Sequence, residues 1–348
     1  MGIGLRLSNL ASHDLTEAAA LQEFKQWLAE NNAYVFTMNG FPYGGFHHTR
    51  VKDQVHAPDW TTDDRLQYTL RLFHILAQLL PEGMEGGIST SPLSYKPWFD
   101  SKIERDAAKI IATKNVIKVA EELDQIRQST GILMHLDIEP EPDGFLEYGE
   151  EFINWFEQDL LNAETTLSAE TIKVHINLCY DVCHFAIGYE PHEQVIEQLA
   201  EKSIKIGKLQ ISAALKAEMP ASETERIFLI NELAKFEEPT YLHQVIGRCN
   251  DSTIIRYPDL PAAIADSRNP AVVEWRAHFH VPIFVEDMGM VKSTRADIIQ
   301  VLNEYNKRPF TQHLEVETYT WEVLPDELKA PLDDSIFREL EWVMGRIK

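Results

Sequence analysis

The sequence predicts an α/β fold of the (β/α)8 TIM-barrel type. Short β-type runs alternate with amphipathic helical stretches at intervals of about 30–45 residues, and about eight such units follow one another. Neither G-x-G-x-x-G nor G-x-x-x-x-G-K-[ST] occurs, so the rival doubly wound nucleotide-binding sheet lacks its usual phosphate loop. The 348 residues allow one large domain or two small ones. No linker or low-complexity segment divides them. The chain therefore reads as a single barrel domain over 1–348, with an excursion at about 214–274. Gly247–Asn269, with Pro258, Pro261 and Pro270 in or beside it, falls largely within that excursion.

The β runs are Ile3–Ser8, Tyr34–Asn39, Gly87–Ser91, Leu133–Glu139, Val174–Cys179, Lys208–Ala213, Tyr241–Ile246, Ala277–Phe284 and Leu314–Thr320. Several are rich in β-branched and aromatic residues and bounded by Gly, Pro or Asn. Between them, Leu15–Glu30 follows Asp14 as its expected N-cap, and Asp63–Leu80 follows Thr61 and Thr62. Phe99–Gln128 reads as one long helix or two. Gly144–Asn162, His192–Lys202, Glu223–Lys235 and Lys292–Asn306 complete the helical set.

Composition narrows the function. With 32 Lys and Arg against 55 Asp and Glu, the net charge is −23, which opposes nucleic-acid backbones and anionic membranes. No apolar run approaches the ~20 residues of a membrane helix. Met1–Leu10 lacks the pattern of a secretory signal, and Arg6 stands where a myristoylation motif needs Ser or Thr. Three cysteines, Cys179, Cys183 and Cys249, form no disulfide framework and read as small buried apolar residues, as expected of a cytoplasmic protein.

In a parallel barrel the chemistry sits at the C-terminal ends of the strands. Four runs carry acids or histidines there. Leu133–Pro142 ends in Asp137, Glu139 and Glu141, which strand alternation puts on one face. Asp181 and His184 form a D-x-x-H pair past the next strand, and both residue types ligate Zn, Mn, Co or Fe. His278 and His280 form an H-x-H that points two imidazoles to one side. Glu315 and Glu317 share a face of the last run, with Glu317 nearer its end. Two loops suit polyol or sugar recognition: Thr37–His47, with Asn39 and His47, and Ser89–Trp98, with Ser91. There is no G-x-S-x-G, no H-E-x-x-H and no C-x-x-C.

This set of strand-end ligands resembles the xylose-isomerase-like superfamily of metal-dependent (β/α)8 barrels. At finer grain, Gly2–Ser8, Thr37–Phe46, Pro58–Trp60, Ile88–Lys96, Leu136–Pro142, Arg276–Pro282 and Val316–Trp321 resemble the EboE-like metabolite-traffic proteins. The superfamily resemblance implies a divalent metal (Mn, Zn, Co or Mg) held by Glu139, Asp181, a histidine and Glu317, with His184 touching substrate. The strand after D-x-x-H carries Gln210 where that histidine is expected, so it must come from His278, His280 or His243. His280 is taken for the metal, and Gln210, His243 and His278 for the substrate together with Asn39, His47 and Ser91. The EboE-like pattern also begins one strand earlier than Gly2, which leaves open a barrel lacking its first strand.

The implied activity is that of a sugar-type isomerase or epimerase acting on a metabolite precursor by metal-assisted proton transfer. Glu139 and Glu317 are its paired bases and His184 holds a substrate hydroxyl. The alternatives are a non-catalytic metabolite-binding barrel in contact with membrane export components, and a metallo-phosphodiesterase, which the net charge disfavours.

Overall fold

The computed structural model describes residues 1–45, 51–321, 324–326 and 329–348. By its internal contacts the chain falls into two compact units. The first comprises Met1–Tyr180, Glu197–Leu209 and Thr311–His313, and the second Asp181–Ile196, Gln210–Phe310 and Leu314–Lys348.

The first unit carries the parallel strands that the alternation predicts. β1 (Gly2–Leu5), β2 (Tyr34–Asn39), β3 (Gly86–Thr90), β4 (Met134–Ile138) and β5 (Ile176–Asp181) pair in chain order, each parallel to the next. β6 (Ile206–Ile211) lies beside β5 in the sheet, and the Leu178 N–H donates to the Lys205 carbonyl at 2.9 Å. Residues buried at every position of β3, β4, β5 and β6 match a sheet covered on both faces.

The second unit carries a six-stranded sheet of β7 (Ala214–Glu218), β8 (Val245–Cys249), β9 (Ile254–Tyr257), β10 (Val272–His280), β11 (Asp287–Met288) and β12 (Val291–Ser293). Its pairings are antiparallel, in the order β11-β12-β7-β10-β8-β9. β13 (Leu314–Val316) completes the parallel sheet, whose order is β1-β2-β3-β4-β5-β6-β13. That uninterrupted order is the one a (β/α) barrel requires; a doubly wound sheet reverses from a middle strand.

Two of the nine predicted β runs depart from the expected repeat. Tyr241–Ile246 and Ala277–Phe284 map onto β8 and β10, which are antiparallel. The short turn from Arg248 to Ile254 needs no crossover helix, so these strands do not form βαβ units. Boundaries also move. Val174 and His175 close the helix Ala169–His175 before β5 begins, because Ser168 caps that helix through the Thr171 N–H. The Leu15–Glu30 expectation is met by Ala18–Glu30, whose N-cap is Glu17 and not Asp14, and an unpredicted short helix, Asn9–Asp14, precedes it. Ser8 supplies the cap of that short helix, and Asp14 ends it.

The other helices follow their sequence signals. Asp63–Leu79 starts at Thr62, whose hydroxyl accepts the Arg65 N–H at 3.3 Å. Lys102–Thr130 is one helix of 29 residues, opened by the reciprocal Ser101–Glu104 capping box and closed by Gly131 at φ +79°. None of the described helices is long and apolar enough to cross a membrane.

Candidate metal centre

Asp181 ends β5 and caps the short helix Val182–Ile187. Its Oδ1 accepts the His184 N–H at 3.2 Å and the Ser212 hydroxyl at 2.6 Å. Ser212 Oγ in turn accepts the Cys183 N–H at 3.0 Å. The D-x-x-H spacing is thus a capping interaction: the carboxylate reaches the third backbone N–H and draws His184 into the same turn. Asp181 is fully buried, and its Oδ2 has no hydrogen-bond partner among the described residues.

His280 closes β10 beyond an irregularity in the pairing with β7. Its Nδ1 donates to the Glu317 carbonyl at 2.9 Å, which fixes the tautomer and leaves Nε2 as the acceptor. That Nε2 is buried and also has no partner among the described residues. The Thr320 hydroxyl donates to the His280 carbonyl and holds the strand end. Asp181, His184 and His280 bring their ligand atoms within 4.8 Å of one another, all buried. The Glu317 carboxyl interacts with Asp181 as well.

The electrostatics favour the ligating forms. Burial holds the His280 ring well below the ordinary imidazole range, at about 4, despite the opposing pull of Asp181. Burial acts to raise Asp181, but His184, His280 and the hydrogen bonds of Ser212 and Glu317 outweigh it, and the net shift is downward. Near neutral pH the acid is ionised and the His280 imidazole neutral, as metal binding needs.

Hydrogen bonding separates the three histidines that the sequence left open. His243 Nδ1 donates to the His278 carbonyl at 2.7 Å, and its Nε2 faces Glu238 Oε1 at 2.8 Å. Burial would raise Glu238, yet the hydrogen bonds from His243, Tyr241 and Thr240 hold it at about 2. His278 Nδ1 meets the Gln244 amide oxygen at 3.0 Å, so it carries the proton; its Nε2 then accepts the His184 Nε2–H at 3.1 Å. Among the described residues, His280 is the ring of the three with an unengaged nitrogen.

The second unit therefore gathers Asp181, His184, His278, His280 and Glu317, with His243 behind His278. Gln210, fully buried near the end of β6, belongs to the same unit. Glu317 directly follows β13, and its N–H donates to the Ile211 carbonyl at 3.1 Å. The remaining candidates belong to the first unit. Glu139, buried, directly follows β4, and its N–H donates to the Thr90 carbonyl at 2.9 Å. Asn39 ends β2, and its Oδ1 accepts the Phe41 N–H at 3.0 Å. Ser91 follows β3, fully buried, with no partner for its hydroxyl among the described residues. His47 lies outside the described residues.

Sequence reasoning missed four supporting groups. Ser212 and Gln244 are single polar residues beside apolar ones, with no spacing to mark them. Cys183 is buried among Ile187, Ala214 and Ile246, as an apolar residue would be, but its sulfur also lies within 4.8 Å of ring nitrogens of His278 and His280. Glu339 is 1% exposed and accepts from the Ile283 N–H at 3.1 Å and the Thr318 hydroxyl at 2.8 Å. Its signal was helical spacing: in Leu332–Met344 it shares the buried stripe with Ser335 and Val343. Burial pushes its carboxyl up to about 7.

No protein-family model matches the chain, and no curated protein matches it. Among solved structures it is similar to a xylose isomerase-like TIM barrel protein from Mycobacterium smegmatis in complex with magnesium. The identity is 12% and the TM-score 0.48, covering 100% of this chain and 85% of that one. It is likewise similar to the IOLI protein with a binding zinc atom, at 12% identity and a TM-score of 0.48, covering 99% of this chain and 87% of that one. The EboE-like resemblance is matched by neither description.

Proposed function

We propose that the second unit binds a divalent metal ion through Asp181, His280 and Glu317, and that the chain acts on a polyol or sugar-like small molecule by metal-assisted proton transfer. One observation carries the reading: Asp181, His184 and His280 bring buried ligand atoms within 4.8 Å of one another, and among the described residues His280 Nε2 has no hydrogen-bond partner and Asp181 Oδ2 meets no donor. Leaving such a group unsatisfied costs about 1–3 kcal/mol each, more where it is charged. A dication would remove that cost. The mixed imidazole and carboxylate set suits Zn, Mn or Co better than Mg.

A bound ion would supply Lewis-acid stabilisation of negative charge on adjacent substrate oxygens. The protein's own groups do the rest. Ser212 and the His184 N–H fix the Asp181 carboxylate, and the Glu317 carbonyl fixes the His280 ring. Glu317 offers a carboxylate for proton transfer. Tyr319 packs on His280 at 4.5 Å between ring centroids and against Tyr241 at 5.1 Å, which provides an aromatic wall for the C–H face of a sugar. The resemblance further implies Glu139 as a second base. A Glu139→Gln variant that exchanges substrate C–H at the wild-type rate removes it from the proposal.

A second reading, binding without turnover, draws on two observations. Gln210 stands where the resemblance implies a histidine, and the His184 Nε2–H is already given to His278. The test is elemental analysis of the purified chain, followed by incubation with Mn, Zn or Co and a ketose panel in deuterated water. Bound metal with C–H exchange that Asp181→Asn abolishes supports the first reading. Retained ligand binding without metal or exchange supports the second.

A further inference from the structure

A second histidine–carboxylate cluster lies wholly within the first unit, at the N-terminal ends of strands. Glu85 directly precedes β3, His135 is the second residue of β4, and His313 directly precedes β13. One ligand atom from each lies within 4.8 Å of the others. The 4% exposed His135 places its Nδ1 2.7 Å from Asp137 Oδ1. Burial pushes the Asp137 carboxyl up, while His135 and Lys208 pull it down. In its carboxylate form it only accepts, so Nδ1 then carries the proton and Nε2 keeps its lone pair, the carboxylate–histidine arrangement typical behind a metal ligand.

His313 is 2% exposed. The Glu85 backbone lies near enough to favour its protonated form, and no other group among the described residues satisfies either ring nitrogen. Burial, then His135 and Lys208, hold it down at about 3, so the ring is neutral at physiological pH.

Two glycines make room for the pair. A Cβ on Gly207 would come within 1.8 Å of Asp137 Oδ1, and one on Gly87 within 2.4 Å of the His135 ring. The buried ammonium of Lys208 is held by the Met38 carbonyl and the Ser89 hydroxyl, each at 3.2 Å. It acts on both Asp137 and His313 and opposes a cation, while the carboxyls of Asp137 and Glu85, which act on each other, favour one. Glu85 and Gln312 also border a surface pocket of about 440 Å³.

We propose that Glu85, His135 and His313 form a binding site for a divalent transition-metal ion, held by two imidazoles and one carboxylate. That donor set takes Zn, Co, Ni or ferrous iron in preference to Mg or Ca. Ligand atoms around a tetrahedral zinc sit roughly 3.4 Å apart, so modest side-chain rotation closes the cluster. The ion would tie the starts of β3 and β4 to the segment before β13. In a (β/α) barrel that end of the strands carries stability, whereas catalysis belongs to the other. Asp137 is a positioning residue, acting through His135.

The probe is cobalt(II), titrated into the chelator-stripped full chain in the wild type and in an Asp181→Asn/His280→Gln background, which silences the other cluster. In that background one equivalent of cobalt is expected, with visible absorption bands, lost on adding His313→Gln. Glu85→Gln, at a partly exposed position, should weaken binding at least tenfold, and Asp137→Asn by about 10–100-fold. If the His313 or background variants fail to fold, Glu85→Gln against the wild type reads the same loss. Cobalt binding that neither Glu85→Gln nor His313→Gln changes overturns the proposal, as does no binding in a folded background protein. Failure of the Asp181 centre alone appears instead as a wild type that binds one equivalent and loses it with His313→Gln.

Discussion

In the second unit His280 gives its Nδ1 proton to a neutral carbonyl, while in the first unit His135 faces the carboxylate of Asp137. Both devices fix a ring and leave Nε2 outward, but their electrostatics differ. The carbonyl adds no charge, so the Asp181 cluster draws its negative charge from the ligating acids themselves. The Asp137 carboxylate adds charge behind the ligand, and Lys208 is buried to balance it. The clusters also differ in what else they offer. In the proposed reaction His184 and Glu317 would hold or move protons at the first-described centre, beside the ring of Tyr319. The His135 cluster lies against Gly87 and Gly207, with Lys208 acting on it. On these two proposals the same residue types would serve reaction in one setting and cross-linking in the other.

The sharpest break in this comparison is Asp181→Asn. It should abolish metal binding at the second-unit centre and all C–H exchange, while leaving the cobalt site at His313 intact; dialysis with elemental analysis reads both. If the asparagine variant keeps its exchange activity, the reactive role of that centre fails.

Next in size is a pH effect confined to the second unit. Glu339 is raised from 4.5 to about 7, so its folded form holds a proton that the unfolded chain has lost. Stability contributed by the neutral acid is fully present below pH 4.5 and is lost as pH rises through about 7. Glu339→Gln keeps the acceptor for Ile283 and Thr318 and cannot ionise. Relative to the wild type it should gain on the order of 3 kcal/mol between pH 4.5 and pH 8 in denaturant titrations. Parallel curves for the two proteins would show that this carboxyl does not titrate as described.

Ser212→Ala removes a donor to Asp181 without touching a ligand. Metal affinity at that centre should fall about 10–100-fold, with the His313 site unchanged, as measured by chelator competition. Equal weakening at both sites would point to a general loss of structure. Smallest is Ser101→Ala, which opens the capping box of Lys102–Thr130. It should cost about 1 kcal/mol and alter neither metal site, a control for the stability readouts.

Much of the architecture could be read from periodicity. β-type runs at Tyr34–Asn39, Gly87–Ser91 and Leu133–Glu139 fall within a residue or two of β2, β3 and β4, because each is a short run bounded by turn-forming residues. The Asp181–His184 pair was visible too, since its spacing is that of a helix cap. The antiparallel sheet was not. A strand such as Ala277–Phe284 looks alike in either kind of sheet, and its direction depends on the partner that pairs with it.

Local pattern, through alternation, capping and turn residues, settled which segments become strands and helices and which acids and histidines stand at their ends. It could not choose among His243, His278 and His280. That choice rests on which ring nitrogens meet Glu238, Gln244, His184 and the Glu317 carbonyl, partners up to 94 residues distant along the chain. Nor could it reveal that His135 and His313 meet, 178 positions apart, inside a strand face cleared by two glycines. Hydrogen-bond satisfaction and burial are properties of the packed chain, and they decide which polar side chains are committed to the fold and which keep a lone pair for a ligand.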